Sequence, residues 1–248
     1  MKILVFGATS AIAQALIRKL VDRHSTDANF VLVGRTQERV EAVEKDVLAR
    51  GSSCLLSTSG DFSDREVTIN LTQELLTRFG PFDLAVVAHG FLPNPEQLDS
   101  SEENQIMNFD VNALSYILIL SMVSKNMEHN GKGAIVVLSS VAGDRGRASN
   151  YSYGAAKGTV SLFSQGLRNR LFKSGVRILT VKPGLVDTPM TADFEKKGLL
   201  WSSPEKVAAS ICSALDRGKD IVYAPWFWRY IMLVIRLIPE WVFKRLSL

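Results

Sequence analysis

The chain has 248 residues, 46% of them hydrophobic and 22% charged, which suits one sizeable globular domain with a full core. A net charge of +4 is too mild to argue for a nucleic-acid partner, and the aromatic–basic interleaving of RNA-binding chains is missing. Cys54 and Cys212 form no CxxC, and His24, His89 and His129 lack metal-ligand spacing, so reduced thiols, a cytoplasmic setting and no metal are expected.

Lys2, an apolar run and Ala11-Ile12-Ala13 mimic a signal peptide, but the run Ile3 to Phe6 is too short and Gly7, Thr9 and Ser10 interrupt it. No uninterrupted stretch approaches the ~20 apolar residues of a spanning helix. Lys2 to Phe6 (KILVF) reads instead as a first buried strand, followed by a small-residue turn and an amphipathic helix from Ala13 to Arg23. Strand, compact turn and helix form the context of a dinucleotide fingerprint, in which backbone N–H groups and the helix N-terminus meet a pyrophosphate. Gly7, Thr9, Ser10, Ala11 and Ile12 are the candidates, with Ala11 and Ala13 standing where such turns usually carry their second and third glycines. An ordinary tight strand–helix turn is the other reading.

Phe30 to Val33 is a second strand, ending in Gly34-Arg35-Thr36. The acidic residue that binds the ribose 2′-hydroxyl of NAD is missing there. Gly34 leaves room and Arg35 can pair with a 2′-phosphate, so NADP(H) is the expected cofactor, against the alternative of a solvated arginine. Val40 to Arg50 is an exposed amphipathic helix, Cys54 to Ser57 a third strand leading into Asp61-Phe62, and Leu84 to Val87 a fourth strand ending in Ala88-His89-Gly90. His89 reads as a polar loop residue rather than a catalytic one. After Pro93 and Pro95, a long helical region runs from about Ser101 to Met127; its part Tyr116 to Val123 is apolar nearly all round and so is expected to be buried on more than one side.

Ala134 to Leu138 (AIVVL) is a short β-branched run, a buried strand that places Ser139 and Ser140 at its C-terminal end. In open parallel sheets that end is where ligands bind. Ser149 and Asn150 start a helix that carries Tyr153 and Lys157 on one face, four residues apart. A cation beside a phenol lowers its pKa, which suits Tyr153 for proton exchange with a carbonyl or alcohol oxygen, while Ser140 can hydrogen bond to the same oxygen. Val176 to Val181 is a sixth strand running into Lys182-Pro183-Gly184, Ser203 and Pro204 start another helix, and Ile221 to Ala224 is a seventh strand. Strands alternating with helices throughout define an α/β fold with a doubly wound parallel sheet in a single domain, residues 1–225.

The Ser140, Tyr153 and Lys157 set, with Asn112, Asp61 and Pro183-Gly184, resembles the compact branch of the short-chain dehydrogenase/reductase family, over about Lys2 to Ala224. The resemblance implies a Rossmann-type fold and an oxidoreductase acting on a carbonyl or secondary alcohol. It implies that Asn112 supports a proton relay to Lys157, and that Lys157 tunes Tyr153 and holds the nicotinamide ribose. Asp61 with Phe62 would meet the adenine, Ala88, His89 and Gly90 the cofactor's middle, and Pro183, Gly184, Val186 and Thr188 the nicotinamide. Where the family often has Asn-Ala-Gly, this chain has Ala88-His89-Gly90, so the strand-locking asparagine is lost. Met190 to Leu200 would form a lid. The two long helices would pair across a homodimer, or within a homotetramer, with Gly154, Ala155, Ala156 and Gly158 allowing close approach. More narrowly, the segment from Ser139 to Tyr151 is similar to that of decaprenylphosphoryl-keto-pentose reductases, which suggests a keto-sugar or lipid-linked substrate. Arg145 and Arg147 in that segment are candidates for an anionic substrate group, or else are solvated loop charges. A cofactor-sensing protein without turnover, or a peripheral membrane scaffold, would be the competing functions.

The last stretch, residues 226–248 (WFWRYIMLVIRLIPEWVFKRLSL), departs from a plain soluble ending. As a helix it puts Arg229, Arg236 and Glu240 on one side and apolar residues on the others, with tryptophans at its flanks. Two readings stand: contact with a membrane surface, or packing that walls the substrate pocket or a subunit contact.

Overall fold

The computed structural model describes residues 1–99, 101–192, 194 and 198–246. The strands are β1 (Lys2–Phe6), β2 (Asn29–Gly34), β3 (Ser53–Ser59), β4 (Leu84–Val87), β5 (Gly133–Leu138), β6 (Val176–Pro183), the short pair β7 (Leu185–Val186) and β8 (Trp201–Ser202), and β9 (Ile221–Ala224). Seven of them form one parallel sheet in the order β3-β2-β1-β4-β5-β6-β9, a Rossmann-type doubly wound arrangement. β1 pairs with both β2 and β4, so Phe6 stands beside Val33 and Val87, and the strand order reverses there.

Side chains alternate across the sheet. Ile3 and Val5 join one core with α1 (Ala11–His24), α2 (Gln37–Ala49) and, from the far end of the chain, Val207, Ala208 and Ile211. Leu4 and Phe6 join the opposite core with α3 (Arg65–Phe79) and the long helices described next. A short α4 (Pro95–Asp99) precedes α5 (Glu102–Phe109), which passes through one π-helical stretch, Asp110–Leu114, into α6 (Ser115–His129). The sequence predicts one continuous helix here; the π turn inside it carries Asn112. Tyr116, Ile119, Leu120 and Val123 are buried, as the all-round apolar pattern requires.

α7 (Tyr151–Arg170) lies against a 3₁₀ turn, Val141–Asp144, that follows β5. A Cβ on Gly143 would stand 2.6 Å from the Gly158 nitrogen, and one on Gly154 2.8 Å from the Ala142 oxygen. Gly154 and Gly158 therefore serve a close approach between this helix and the turn. α8 (Pro204–Asp216) starts at Ser203, whose hydroxyl accepts from the Lys206 N–H. The final helices are α9 (Trp228–Leu237) and α10 (Glu240–Phe243). The strand ends carrying Gly7, Gly34, Asp61, Ala88, Ser139 and Pro183 all fall along one edge of the sheet.

Candidate active site

At that edge, Ser140 opens the 3₁₀ turn and its hydroxyl oxygen accepts from the Ala142 N–H at 3.1 Å. The same hydroxyl also meets Tyr153. Ser139 is turned the other way; its hydroxyl donates to the Lys157 carbonyl at 2.9 Å and meets Ser161 at 2.8 Å, clamping β5 to α7. The sequence reading passed over Ser139, although its place beside Ser140 at the strand end marks it as the inward-facing neighbour.

Tyr153 and Lys157 are one helical turn apart, with the Lys157 Nζ 6.0 Å from the Tyr153 ring centre and 4.2 Å from that of Tyr116. Burial pushes the Tyr153 phenol up to about 12, while a hydrogen-bonding interaction with Ser140 pulls it down. Burial pushes Lys157 down to about 7. The expected lowering of the phenol by the neighbouring cation is therefore overridden, because both groups are taken out of water and each favours its neutral form. Tyr153 holds its proton at neutral pH.

Asn112 is buried, and both of its amide hydrogens are engaged. Its Nδ2 donates to the Phe91 and Asn108 oxygens, both at 2.9 Å, and its Oδ1 accepts from the Phe91 N–H at 3.2 Å. Asn108 in turn donates to Ser152 of α7 at 2.9 Å. These bonds use both amide hydrogens, and the side chain ties the loop after β4 to the π turn and, through Asn108, to the tyrosine helix. A Cβ on Gly90, whose φ is +142°, would come within 2.6 Å of Asn112 Oδ1 and 3.4 Å of Lys157 Nζ. The glycine is thus needed for these two side chains.

His89 differs most from its sequence reading as a polar loop residue. It is buried, stacked between Phe62 and Tyr116 at 4.3 Å from each ring centre. Its Nε2 lies 2.7 Å from Ser115 Oγ, whose own proton goes to the Val111 carbonyl at 2.8 Å, so Nε2 carries the histidine hydrogen. Burial first, and then the Lys157 charge, hold its pKa well below the usual range, and the ring stays neutral. The Tyr116 hydroxyl donates to the His89 carbonyl. His89 thereby locks the end of β4 to the start of α6, the task the missing asparagine had left open. Phe62 is correspondingly turned into the core against Phe6 and His89, so its ring is not placed for adenine.

The residues at the first turn fit a bound dinucleotide. Gly7 has φ +80°, and a Cβ there would stand 2.3 Å from the His89 nitrogen, so the turn presses close against the end of β4. Ser10 precedes α1 without a side-chain cap, and no acidic residue lies in the first helical turn, which leaves the N–H groups near Ala11 and Ile12 for an anion. Thr9 and Ser10 are half-buried beside them. Arg35 is exposed and makes no ion pair or hydrogen bond among the described residues. Gly34 is less open than its sequence suggests, because Val40 and Thr9 side chains fill the space a Cβ would take. The Asp61 carboxylate accepts from the Ser63 N–H and hydroxyl at 2.9 and 2.7 Å, while Asp64 caps α3.

On the far side, Pro183 and Val186 are buried, and the Thr188 N–H donates to Thr191 Oγ1 at 3.2 Å. A Cβ on Gly184 would overlap the Trp228 ring, and Trp228 Nε1 donates to the Leu200 carbonyl at 3.3 Å. The tail thus packs on the strand-end loop. Asp193 and residues 195–197 of the expected lid lie outside the described residues. Asp144 forms a buried ion pair with Lys182 and accepts from the Tyr223 hydroxyl at 2.7 Å, joining the 3₁₀ turn to β6 and β9. Arg145 is not free for a substrate anion: it donates to the Ile238 carbonyl at 2.6 Å, pairs with Glu240 at 2.9 Å and lies 3.7 Å from the Phe243 ring centre. Arg147 has its Nε shielded from water with no partner among the described residues. Nor does any group of three His, Cys, Asp or Glu among those residues suit a metal.

A doubly wound parallel sheet with a serine at the end of β5 and a Tyr–Lys pair on the next helix defines a Rossmann-type oxidoreductase. Residues 1–198 match the short chain dehydrogenase family, and the chain belongs to it. An uncharacterized oxidoreductase of Mycobacterium tuberculosis is 31% identical over 244 residues, covering 98% of this chain and 96% of that protein. Another from Streptomyces coelicolor is 29% identical and covers 98% and 95% of the two chains. Among solved structures, a short-chain dehydrogenase from Sphingobium yanoikuyae in complex with NADPH superimposes with a TM-score of 0.81 at 19% identity, covering 96% of each chain. One from Burkholderia cenocepacia in complex with NADP gives 0.80 at 20% identity, covering 100% and 97%.

Proposed function

We propose that this oxidoreductase is an NADPH-dependent carbonyl reductase, which can also run as the reverse alcohol dehydrogenase. One observation carries the reading: a phenol that keeps its proton stands in hydrogen-bonding contact with a serine hydroxyl, at the ligand-binding edge of the sheet. The bound nicotinamide supplies the hydride to the carbonyl carbon. Ser140 donates a hydrogen bond to the carbonyl oxygen and orients it. Tyr153 gives that oxygen its proton as the negative charge develops, which is general acid catalysis. Lys157, whose proton comes and goes near neutral pH, stabilises the phenolate left behind. Gly7 to Ile12 hold the pyrophosphate, and Arg35 supports the choice of NADPH by pairing with the 2′-phosphate. A cofactor sensor would need none of the acid–base set.

Tyr153→Phe is expected to lower kcat by about 10²–10⁴-fold on a carbonyl panel, with NADPH binding retained. Near-normal turnover in that variant rules out the mechanism. Arg35→Ala is expected to weaken NADPH binding roughly ten- to a hundredfold, the range of a charge-assisted hydrogen bond, and to leave NADH binding unchanged. Equal losses for both cofactors, read by fluorescence titration, remove the 2′-phosphate role.

A lipid-linked keto-sugar is the narrower substrate reading, favoured by the half-buried Arg147; faster turnover of simple ketones than of a polyprenyl-phosphate keto-sugar would dismiss it. A homo-oligomer formed through the long helices is supported by the exposed Ile106, Met107, Phe109 and Leu162. A monomer mass in sedimentation velocity excludes it.

A further inference from the structure

α9 carries two apolar faces. The inner one, Trp228 and Met232 with Ile231 and Ile235, packs on Val141 and Tyr223. At about 100° per residue, Tyr230, Leu233, Val234 and Leu237 fall on the opposite side. They are 60, 52, 63 and 73% exposed. Trp226 and Trp241, 71 and 64% exposed, stand before and after them. The same geometry puts Arg229 and Arg236 together on one flank between the two faces, and both are exposed. Lys244 and Arg245 are exposed beyond α10. Glu240 is the one acidic residue in this stretch of the sequence, and Arg145 already pairs with it at 2.9 Å.

We propose that this outer face docks on the surface of a bilayer containing anionic lipid, with α9 lying in the plane of the interface. The outward side of a solvated surface helix is polar, and this one is not. Its cations are placed to meet anionic headgroups while its aromatic residues sit at headgroup depth. The 10 residues of α9 extend only about 15 Å, half of the ~30 Å hydrocarbon core, so the helix lies on the membrane rather than across it. The longer apolar run, residues 102–129, belongs to the domain core, where Asn108, Asn112 and Tyr116 are buried. Charge complementarity favours lipid over a second copy of the chain, because a two-fold contact would bring the cationic flank against itself. The inner face touches Val141, the residue after Ser140, so docking would hold that turn one helix diameter, ~10 Å, from the lipid surface.

The test is flotation of the full chain with phosphatidylcholine vesicles, with and without phosphatidylglycerol. Two variants accompany it, Leu233→Gln/Val234→Gln/Leu237→Gln and Arg229→Gln/Lys244→Gln/Arg245→Gln, each checked for native near-ultraviolet circular dichroism. All six positions are exposed, so the fold is expected to survive. The wild-type chain should float with the anionic vesicles. Each lost cation should lower the partition about fivefold, and the apolar triple variant should not float. A wild-type chain that stays with the lipid-free fractions overturns the proposal. So does flotation that is unchanged in the apolar variant. Conversion of an oligomer to a monomer by the apolar variant, with no flotation of the wild type, identifies the face as a subunit contact. Flotation reads no turnover, so its outcome is independent of the oxidoreductase reading.

Discussion

Lys157 shows how burial decides chemistry at the scale of one residue. Its ammonium has a long 3.5 Å contact to the Leu138 carbonyl and aromatic faces around it, and its pKa falls from 10.5 to about 7. Between those values the native chain binds fewer protons than the unfolded chain, so stability rises with pH across that window. Lys157→Met is therefore expected to be more stable than the wild type at and below about pH 7, by a few kcal/mol, with the gap closing toward pH 10.5. Urea unfolding at several pH values measures this; a gap independent of pH would mean that the ammonium is solvated. The spacing of Ser140, Tyr153 and Lys157 was readable because a strand end and a helical turn fix it. Their proton affinities were not, because desolvation depends on Tyr116, His89 and the π turn, which the spacing does not reveal. His89 was misread for the same reason: alone in the sequence it is a polar residue after a strand, and only Phe62, Ser115 and Tyr116 make it a core residue.

At the scale of elements, the tail is a working part of the domain. Trp228 fills the space over Gly184 and bonds to Leu200, while Met232 is fully buried. Trp228→Ala is expected to cost about 3–5 kcal/mol, as large aromatic truncations in cores do. It should also expose the segment around Pro225 to proteolysis well below the global melting temperature. Calorimetry together with limited trypsin digestion distinguishes these effects, and an unchanged digestion pattern would show that the tail is held without the indole. The sequence carried a signal for this packing. Apolar residues on nearly every side of residues 226–238 leave one face for the domain and another for something else, and the pattern alone could not say which residue went where.

For the whole molecule, the strand order was legible in outline. Alternating buried strands and amphipathic helices leave few right-handed parallel arrangements. The contacts that close the site were not legible, because they join distant segments. Asp144 meets Lys182 and Tyr223, 38 and 79 positions away, and neither partner has a local pattern that announces it. Cys54 and Cys212 are free and belong to the core on the α1 and α2 side, where burial raises both thiols.

Arg145 bonds to the carbonyls of Ile235 and Ile238 and to Glu240, residues 90, 93 and 95 positions later. On the ribosome, the turn that carries Ser140 emerges long before these partners exist. The early Rossmann half can pair its strands while this arginine still waits for its acceptors. The turn beside Ser140 thus gains its last ties only when the final helices fold back over a loop translated much earlier.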